Sequence, residues 1–536
     1  ETSGNSDDGS GIYDFKDNKT AGTVTITKKW DDGLTNAERE IPDMYLSTEK
    51  PSKSTKGYTV TFHGNGLKFA DGTDENMVVY NSSGQIVEGD YKTPNWITGA
   101  WYSDEVCTQK VEISDDGVPQ VKLTGDLDLW AKEMTFEIKG YRYGAKNNNE
   151  FNAVIPDAVT EVIFTDEVKP KTKEAIDVDA DGDGGVVAWL DDDAGTVMKV
   201  STQIPGVKVQ AAKDSGCMFD DRSKLQKIDF KMLDTQNVTD MSYMFSGCSH
   251  LTSLDLSSLN TQKVTDMNHI FYNCSGLTSL DLTPLNTQEV MDMGSMFCLC
   301  SGLTSLDLSS DTKNVTDMGN MFANCSGLTS LDLTPLDTKN VTDMSVMFYY
   351  CSGLTSLDLT PLNTQEVTDM GGMFYGCSGL TSLDLSPLDT QNVTIMWNMF
   401  RGCSGLISLD LTPLDTQKVT RMDSMFFDCS GLTSLDLTPL DTSKVTNMEY
   451  MFCYCSGLTS LDLTPLDTSK VTNMNSMFSV CSDLTSLTTG TTFKFVGTKY
   501  ELSGTWQNTA GETFNGNYNT ANFPSNVADT YTKISS

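Results

Sequence analysis

Fourteen cysteines, a set of evenly spaced aspartates and one acidic loop are the residues of this chain that could do chemistry. Ten cysteines form a column: Cys248, Cys274, Cys300, Cys325, Cys351, Cys377, Cys403, Cys429, Cys455 and Cys481. An even cysteine count in an exported chain ordinarily suggests disulfides. Equivalent residues on stacked units point the same way, however, so a ladder of buried thiols is the expectation. Cys298 with Cys300, and Cys453 with Cys455, have the spacing of a C-x-C metal pair. On a helix, residues two apart face away from each other, which argues against zinc. A carboxylate column runs Asp255, Asp281, Asp307, Asp332, Asp358, Asp384, Asp410, Asp436 and Asp462. Without partners for acid–base work it reads as a solvated strand face, whose self-repulsion bound Ca²⁺ could relieve. In DVDADGDGG (177–185), Asp177, Asp179 and Asp181 with Gly182 match the first half of a calcium loop, but Ala188 stands where a glutamate would close it. A plain acidic turn is the alternative. The three histidines, His63, His250 and His269, do not join cysteines or carboxylates at metal-ligand spacing. With no nucleophile–base pair and no phosphate loop, the chain is not expected to be an enzyme, and Ca²⁺ is the one cofactor considered.

These columns exist because the chain repeats itself. A phenylalanine recurs at 219, 245, 271, 297, 322, 348, 374, 400, 426, 452 and 478, every 26 residues with one interval of 25 where SSDTKN (309–314) is a residue shorter than TPLDTKN. That makes eleven units over about 211–487, the first degenerate. In VTDMNHIFYNC the apolar residues Val264, Met267, Ile270, Phe271 and Cys274 fall on one side of a helix. Thr265 would cap it, Asp266 would favour its positive end, and Gly276 would stop it from a left-handed position. The following LTSLDL (277–282) alternates as a strand does, and Pro284 ends it. One unit cannot bury its own apolar stripe, so neighbours must stack. The fold class expected is an α/β solenoid of strand–helix units, its strands about 4.8 Å apart.

The unit VTDMxxMFxxCSGLTSLDLSPLDT closely resembles the BspA-like leucine-rich-repeat surface proteins of bacteria. That resemblance covers all eleven units and implies an exported, cell-surface protein of the kind described as an adhesin. Ahead of the array, GTVTITKKWDDGLTNAEREIPDMYLST (22–48) resembles the opening of Cna-B-type stalk domains, with Lys28 or Lys29 near that family's isopeptide lysine. YTVTFHGNG (58–66), GAWYSDEVC (99–107) and GDLDLWAKE (125–133) resemble the Listeria–Bacteroides repeat, a small β-grasp-like module, with Trp101 and Trp130 expected in its core. The organisation expected is a disordered tail (1–20), a partial Cna-B-like segment (21–56), the β-grasp-like module (57–135), a β-rich cap (136–210), the array (211–487) and a second cap (488–536).

Within the array, variation concentrates at the two residues after the first methionine and the two between phenylalanine and cysteine. Of these 40 residues, 27 are Tyr, Ser, Gly or Asn, whereas a free helix surface favours Lys, Glu, Gln and Ala. Tyrosine among small polar residues is a composition used by binding paratopes. Drift, or crowding between adjacent helices, is the competing explanation. If the positions bind, the anchors are Tyr243, Tyr272, Tyr349, Tyr350, Tyr375, Trp397, Phe427, Tyr450 and Tyr454, with Arg401 as a rare cation.

The net charge of −36 and pI near 4.2 disfavour nucleic acid and anionic membranes as partners. No apolar run approaches the roughly 20 residues needed to span a bilayer, and ETSGNSDDGSG opens the sequence without a leader, so signal and anchor are expected elsewhere. The reading is an extracellular bacterial surface protein whose solenoid recognises a host or microbial protein or glycan at many points. The alternatives are a self-assembling spacer without an external ligand, and glycan binding along the Ser/Asp strand face.

Overall fold

The computed structural model describes residues 57–96, 98–308 and 311–535. The tail, the Cna-B-like segment and its Lys28 and Lys29 lie outside the described residues.

The first sheet holds β1 (Tyr58–His63), β2 (Glu75–Tyr80), β3 (Ile86–Glu88), β4 (Gly99–Tyr102), β5 (Lys110–Val111) and β6 (Leu127–Glu133), in the order β3-β2-β1-β6-β4-β5. β1 and β6 run parallel and the other pairs antiparallel. Alternation places Val60, Phe62, Val78, Tyr80, Leu129 and Ala131 on one buried face. Trp101 closes this core edge-on to Phe62, at 4.8 Å. Trp130 is only half-buried and stacks on His63 at 5.0 Å.

A short helix, α1 (Glu150–Val154), precedes a second sheet. That sheet holds β7 (Glu161–Thr165), β8 (Ile176–Asp177), β9 (Val187–Leu190) and β10 (Val197–Ser201). β11 (Val209–Gln210) then pairs in parallel with β13 (Leu233–Asp234), and β12 (Lys227–Asp229) joins β7 in parallel. The parallel pairings hand the sheet over to the first coil, and one apolar core continues from Phe136 to Tyr531. At the far end β16 (Ser460–Asp462) and β17 (Ser486–Thr489) run parallel, after which β20 (Asp529–Ser535) turns antiparallel beside β17 and is followed by β18 (Thr505–Gln507) and β19 (Thr513–Asn515). The reversal ends the parallel stacking, which would otherwise leave a sheet edge open.

Between the caps the chain coils as its repeat requires, but the expected helix is absent. From Val264 to Cys274 and in its counterparts the backbone makes successive tight turns. Alternate N–H groups bond three residues back, as Cys300 to Phe297 and Met296 to Met293. The intervening ones reach the next coil: Phe297 donates to Met321 at 2.9 Å, and Leu299 to Ala323 at 2.7 Å. The physical reason is spacing. Packed helices stand about 8–10 Å apart, whereas coils that share backbone hydrogen bonds stand about 4.8 Å apart. Turns let one side of the unit match the other.

The ridge so formed is continuous. The phenylalanine rings from Phe219 to Phe478 stack with centroids 5.6–6.0 Å apart and planes within 13°. The LTSLDL side is less regular. Paired strands form in units such as β14 (Ser279–Asp281) with β15 (Ser305–Asp307), while the same letters in the middle coils run without a ladder.

Two further expectations need correction. With no helix present, Thr265 donates its hydroxyl to Thr239 of the previous coil (3.2 Å), and the Asp266 carboxylate accepts the Asn268 N–H (2.9 Å). Gly276 is not a left-handed stop; it is glycine because a Cβ there would sit 2.4 Å from the Ser249 carbonyl oxygen. The same close approach recurs at Gly379, where a Cβ would lie 2.5 Å from the Ser352 oxygen.

Because the obstacle is backbone, Gly379→Ala is expected to lower stability by about 1–3 kcal/mol. Ser378→Ala, one residue away and exposed, should leave it nearly unchanged. Equal melting temperatures for the two variants would contradict this packing.

Candidate functional site

Four polar columns run along the coils, and the first three tie each coil to its neighbour. Thr261 and its counterparts are buried, and each hydroxyl both donates to and accepts from the next coil: Thr261 donates to the Asn286 carbonyl at 2.9 Å and accepts the Asn286 N–H at 2.8 Å. Each column cysteine points its thiol at the carbonyl of a phenylalanine one coil earlier, as Cys351 to Phe322 at 3.0 Å. All the cysteines are free thiols, and burial pushes the Cys351 and Cys403 thiols up to about 12. Of the two C-x-C pairs, Cys298 is half-buried and Cys300 in the core, whereas Cys453 and Cys455 are both buried.

The third column is the aspartate of VTDM. Asp214, Asp240, Asp266, Asp292, Asp317, Asp343 and Asp369 are bridged coil to coil. Burial raises the Asp317 and Asp369 carboxyls above the usual range, and the neighbouring carboxylates of the column add to it. Ile395, Arg421, Asn447 and Asn473 continue the position without that charge. The fourth column is exposed: Asp281 accepts the N–H and hydroxyl of Thr283, and these bonds hold its carboxyl below the usual range.

At the acidic loop the cluster differs from the expected one. Asp179, Asp181 and Asp183 bring oxygens within 4.8 Å of one another, while Asp177 turns to Lys139 at 2.7 Å. Burial, reinforced by Asp183 and Asp181, pushes Asp179 up to about 6. Lys132 of β6 reaches Asp181 at 2.8 Å, and the Thr135 N–H donates to Asp183 at 2.9 Å, so the loop joins the first sheet to the cap.

The variable positions lie along the outside of the turn ridge. In each of the ten full units both second members of the variable pairs have positive φ, from Tyr243 and Gly247 through Tyr450, Tyr454, Ser476 and Val480. Gly, Asn or Asp holds nine of these twenty positions, so part of the unusual composition answers a backbone requirement. It does not explain the four tyrosines there, Tyr243, Tyr350, Tyr450 and Tyr454 (φ 52–56° in the first three, 60° in the last), all of them exposed. Bulky residues are disfavoured at such φ.

Rings gather in the middle coils. Tyr349 and Tyr350 stand 4.7 Å apart, and Tyr375 lies 4.7 Å and 5.1 Å from them. The Arg401 guanidinium follows, 5.0 Å from the Tyr375 ring and 3.9 Å from that of Phe427. Phe427 then meets Tyr454 at 5.5 Å and Tyr450 at 6.1 Å. Tyr243 and Tyr272 make a separate patch about His269, which stacks 4.4 Å from Tyr243. Trp397 lies against Gly371 of the previous coil, with the Arg421 guanidinium 5.8 Å from its ring. The sequence reading named these rings but missed the groove between them, of about 430 Å³, with Gly376 and Gly402 in its wall.

The model of the family described as "Mycoplasma protein of unknown function, DUF285" matches residues 195–310, 278–383, 302–412 and 379–493, together more than half of the chain. No curated protein matches. Among solved structures, the chain is similar to a leucine-rich repeat protein from Eubacterium ventriosum ATCC 27560 at 16% identity, over 55% of this chain and 92% of that one, with a TM-score of 0.28. It is also similar to the TLR13–ssRNA13 complex at 16% identity, over 53% of this chain and 50% of that one, with a TM-score of 0.17.

Two outcomes follow from the columns and the ridge. Asp317 has a raised folded-state pKa, so its contribution favours the fold at low pH and is lost as pH rises through that value. Asp317→Asn keeps the acceptor for Gly319 and should raise the melting temperature near pH 7, with the gain vanishing below the usual carboxylate range. A gain that grows on acidification would contradict this. Val480 is exposed, β-branched and at φ 60°, so Val480→Asn should stabilise by about 1 kcal/mol in denaturant unfolding, and a loss would contradict the strain.

Proposed function

The chain belongs to the family described as "Mycoplasma protein of unknown function, DUF285", and from that premise we propose that its array is an extracellular recognition rod that binds another macromolecule through the ridge between Tyr349 and Tyr454. The observation that carries the reading is the strip of rings on successive coils, three of its tyrosines (Tyr350, Tyr450 and Tyr454) exposed at positive φ where Gly or Asn would fit better. Backbone strain held at an exposed aromatic is a hallmark of sites kept for contact rather than for folding. Each ring offers a rigid, amphipathic surface at low entropic cost. Several acting together give an avidity that no single contact supplies.

A surface location agrees with the repeat's resemblance to bacterial surface proteins, and among the described residues no helix is long and apolar enough to cross a membrane. The chemistry of the columns supports binding over catalysis: the column thiols point at carbonyls, and exposed aspartates such as Asp281 and Asp358 accept bonds from their own turns.

The test is capture of surface proteins and glycans from host and microbial extracts on the full chain, beside a variant carrying Tyr349, Tyr350, Tyr375 and Trp397 each changed to Ala. The variant should lose a partner that the wild type retains, with a melting temperature within a few degrees. A second variant changed at Tyr243 and Tyr272 reports on the separate patch. Retention of every partner by the first variant would overturn the reading, and concentration-dependent filaments in ultracentrifugation would favour a self-assembling spacer.

A further inference from the structure

Arg401 differs from every other described arginine. Arg142 pairs with Glu150, Arg222 with Asp157 at 3.1 Å, and Arg421 with Asp423 through two bonds of 3.0 Å. In a chain with a net charge of −36, carboxylates are not scarce. Yet Arg401 has no carboxylate partner among the described residues. It is held instead by the faces of Phe427 and Tyr375, at 3.9 Å and 5.0 Å, which fix its plane while leaving its N–H edge unpaired. A planar guanidinium held in this way is prepared for a carboxylate, which it can engage through two parallel bonds.

The groove around it narrows the choice of ligand. Its volume of about 430 Å³ lies within the usual range for a small-molecule site, roughly 300–1,000 Å³. Tyr350 and Phe427 stand on either side of a low wall made by Gly376 and Gly402. A Cβ at Gly376 would lie 2.8 Å from the Tyr350 ring, so glycine there lets the ring pack against the wall. Along one border run Ser352, Ser378 and Ser404, one hydroxyl per coil. A peptide would need free backbone groups to pair with, and the groove has few. Tyr350, Gly376 and Gly402 already donate their N–H groups to Tyr375, Arg401 and Phe427 of the next coil, at 2.5–2.7 Å. What the groove offers is ring faces, hydroxyls and one cation. Those match the C–H face, the hydroxyls and the single acid group of a carboxylated sugar.

We propose that the groove between Tyr350 and Phe427 binds a sugar bearing one carboxylate, a uronic or sialic acid residue, with its acid group on Arg401. This rests on the reading of the ridge as a recognition surface and names the ligand chemistry at its centre. Asp428 also lines the groove and sets a limit: a densely anionic polymer is repelled, whereas one acid group is accepted.

The test uses the full chain and ligand-detected NMR titration with methyl glucuronide, the methyl glycoside of N-acetylneuraminic acid, the methyl ester of each, methyl glucoside, and a short peptide ending in glutamate. At least one acid sugar should bind tenfold or more tightly than its ester and than the glucoside. Arg401→Gln should abolish that preference, Arg401→Lys should restore part of it, and Asp428→Asn should strengthen acid binding. The paired Tyr243 and Tyr272 variant should behave as wild type. Equal binding of acid and ester, no binding of either acid sugar, or binding of the peptide alone would each overturn the proposal. If the tyrosine variants lose a captured partner while Arg401→Gln keeps it, the recognition ridge stands and only the sugar assignment fails.

Discussion

Every structural feature of the array depends on one constraint: the backbone groups of each coil must find partners in the coil beside it, at strand-like distance. Along the phenylalanine ridge this is met by turns whose N–H groups go alternately back along the chain and across to the next coil. The core follows from it. Phenylalanines at the same place on successive coils repeat one rotamer and so stack in parallel, cysteines must be small enough to sit under the ridge, and methionine fills what remains. From Gly276 to Gly457, glycine stands where one backbone passes a carbonyl of the last too closely for a Cβ. The buried threonines satisfy polar groups at the corner where the chain enters the ridge, as Thr261 does for Asn286 of the next coil.

The same constraint makes a surface. Turns that stack in register need positive φ at two positions per unit, and several larger residues there, Tyr243, Tyr350, Tyr450, Tyr454 and Val480, are exposed. Such positions usually go to Gly, Asn or Asp, as they do at Gly372, Asn320 and Asp428. Where the chain instead holds tyrosine, as at Tyr350 and Tyr454, it accepts a backbone cost to show a ring to solvent. Arg401 extends this logic, because its charge is held by rings rather than neutralised by a carboxylate. The ridge is thus both the structural spine and the place where the chain departs from its own repeat.

Much of this was legible in the letters. The period, the stacking and the core identity of Leu, Met, Phe and Cys follow from a 26-residue repeat, whereas the variable positions divide between exposed rings such as Tyr350 and buried small residues such as Ser295 and Ser424. The helix in each unit was not realised, because apolar residues at three- and four-residue spacing also suit consecutive turns. Nothing local in VTDMNHIFYNC distinguishes the two; inter-coil distance decides. The composition carried the missing signal, since Asn, Gly, Ser and Tyr at the variable positions are weak helix formers. The buried threonine column was also visible, as a polar residue that recurs at the same place in unit after unit of DT or NT. The groove could not have been read in advance, because it depends on rings from different coils meeting, and Asp183 joins the acidic cluster only once the loop has folded back.

Far-ultraviolet circular dichroism of the folded chain tests the turn ridge most directly, because a strand–helix solenoid of the same length would place a helical segment in every unit. The account requires a spectrum dominated by strand and turn, without the paired minima of α-helix. A strong helical double minimum that melts together with the fold would contradict it.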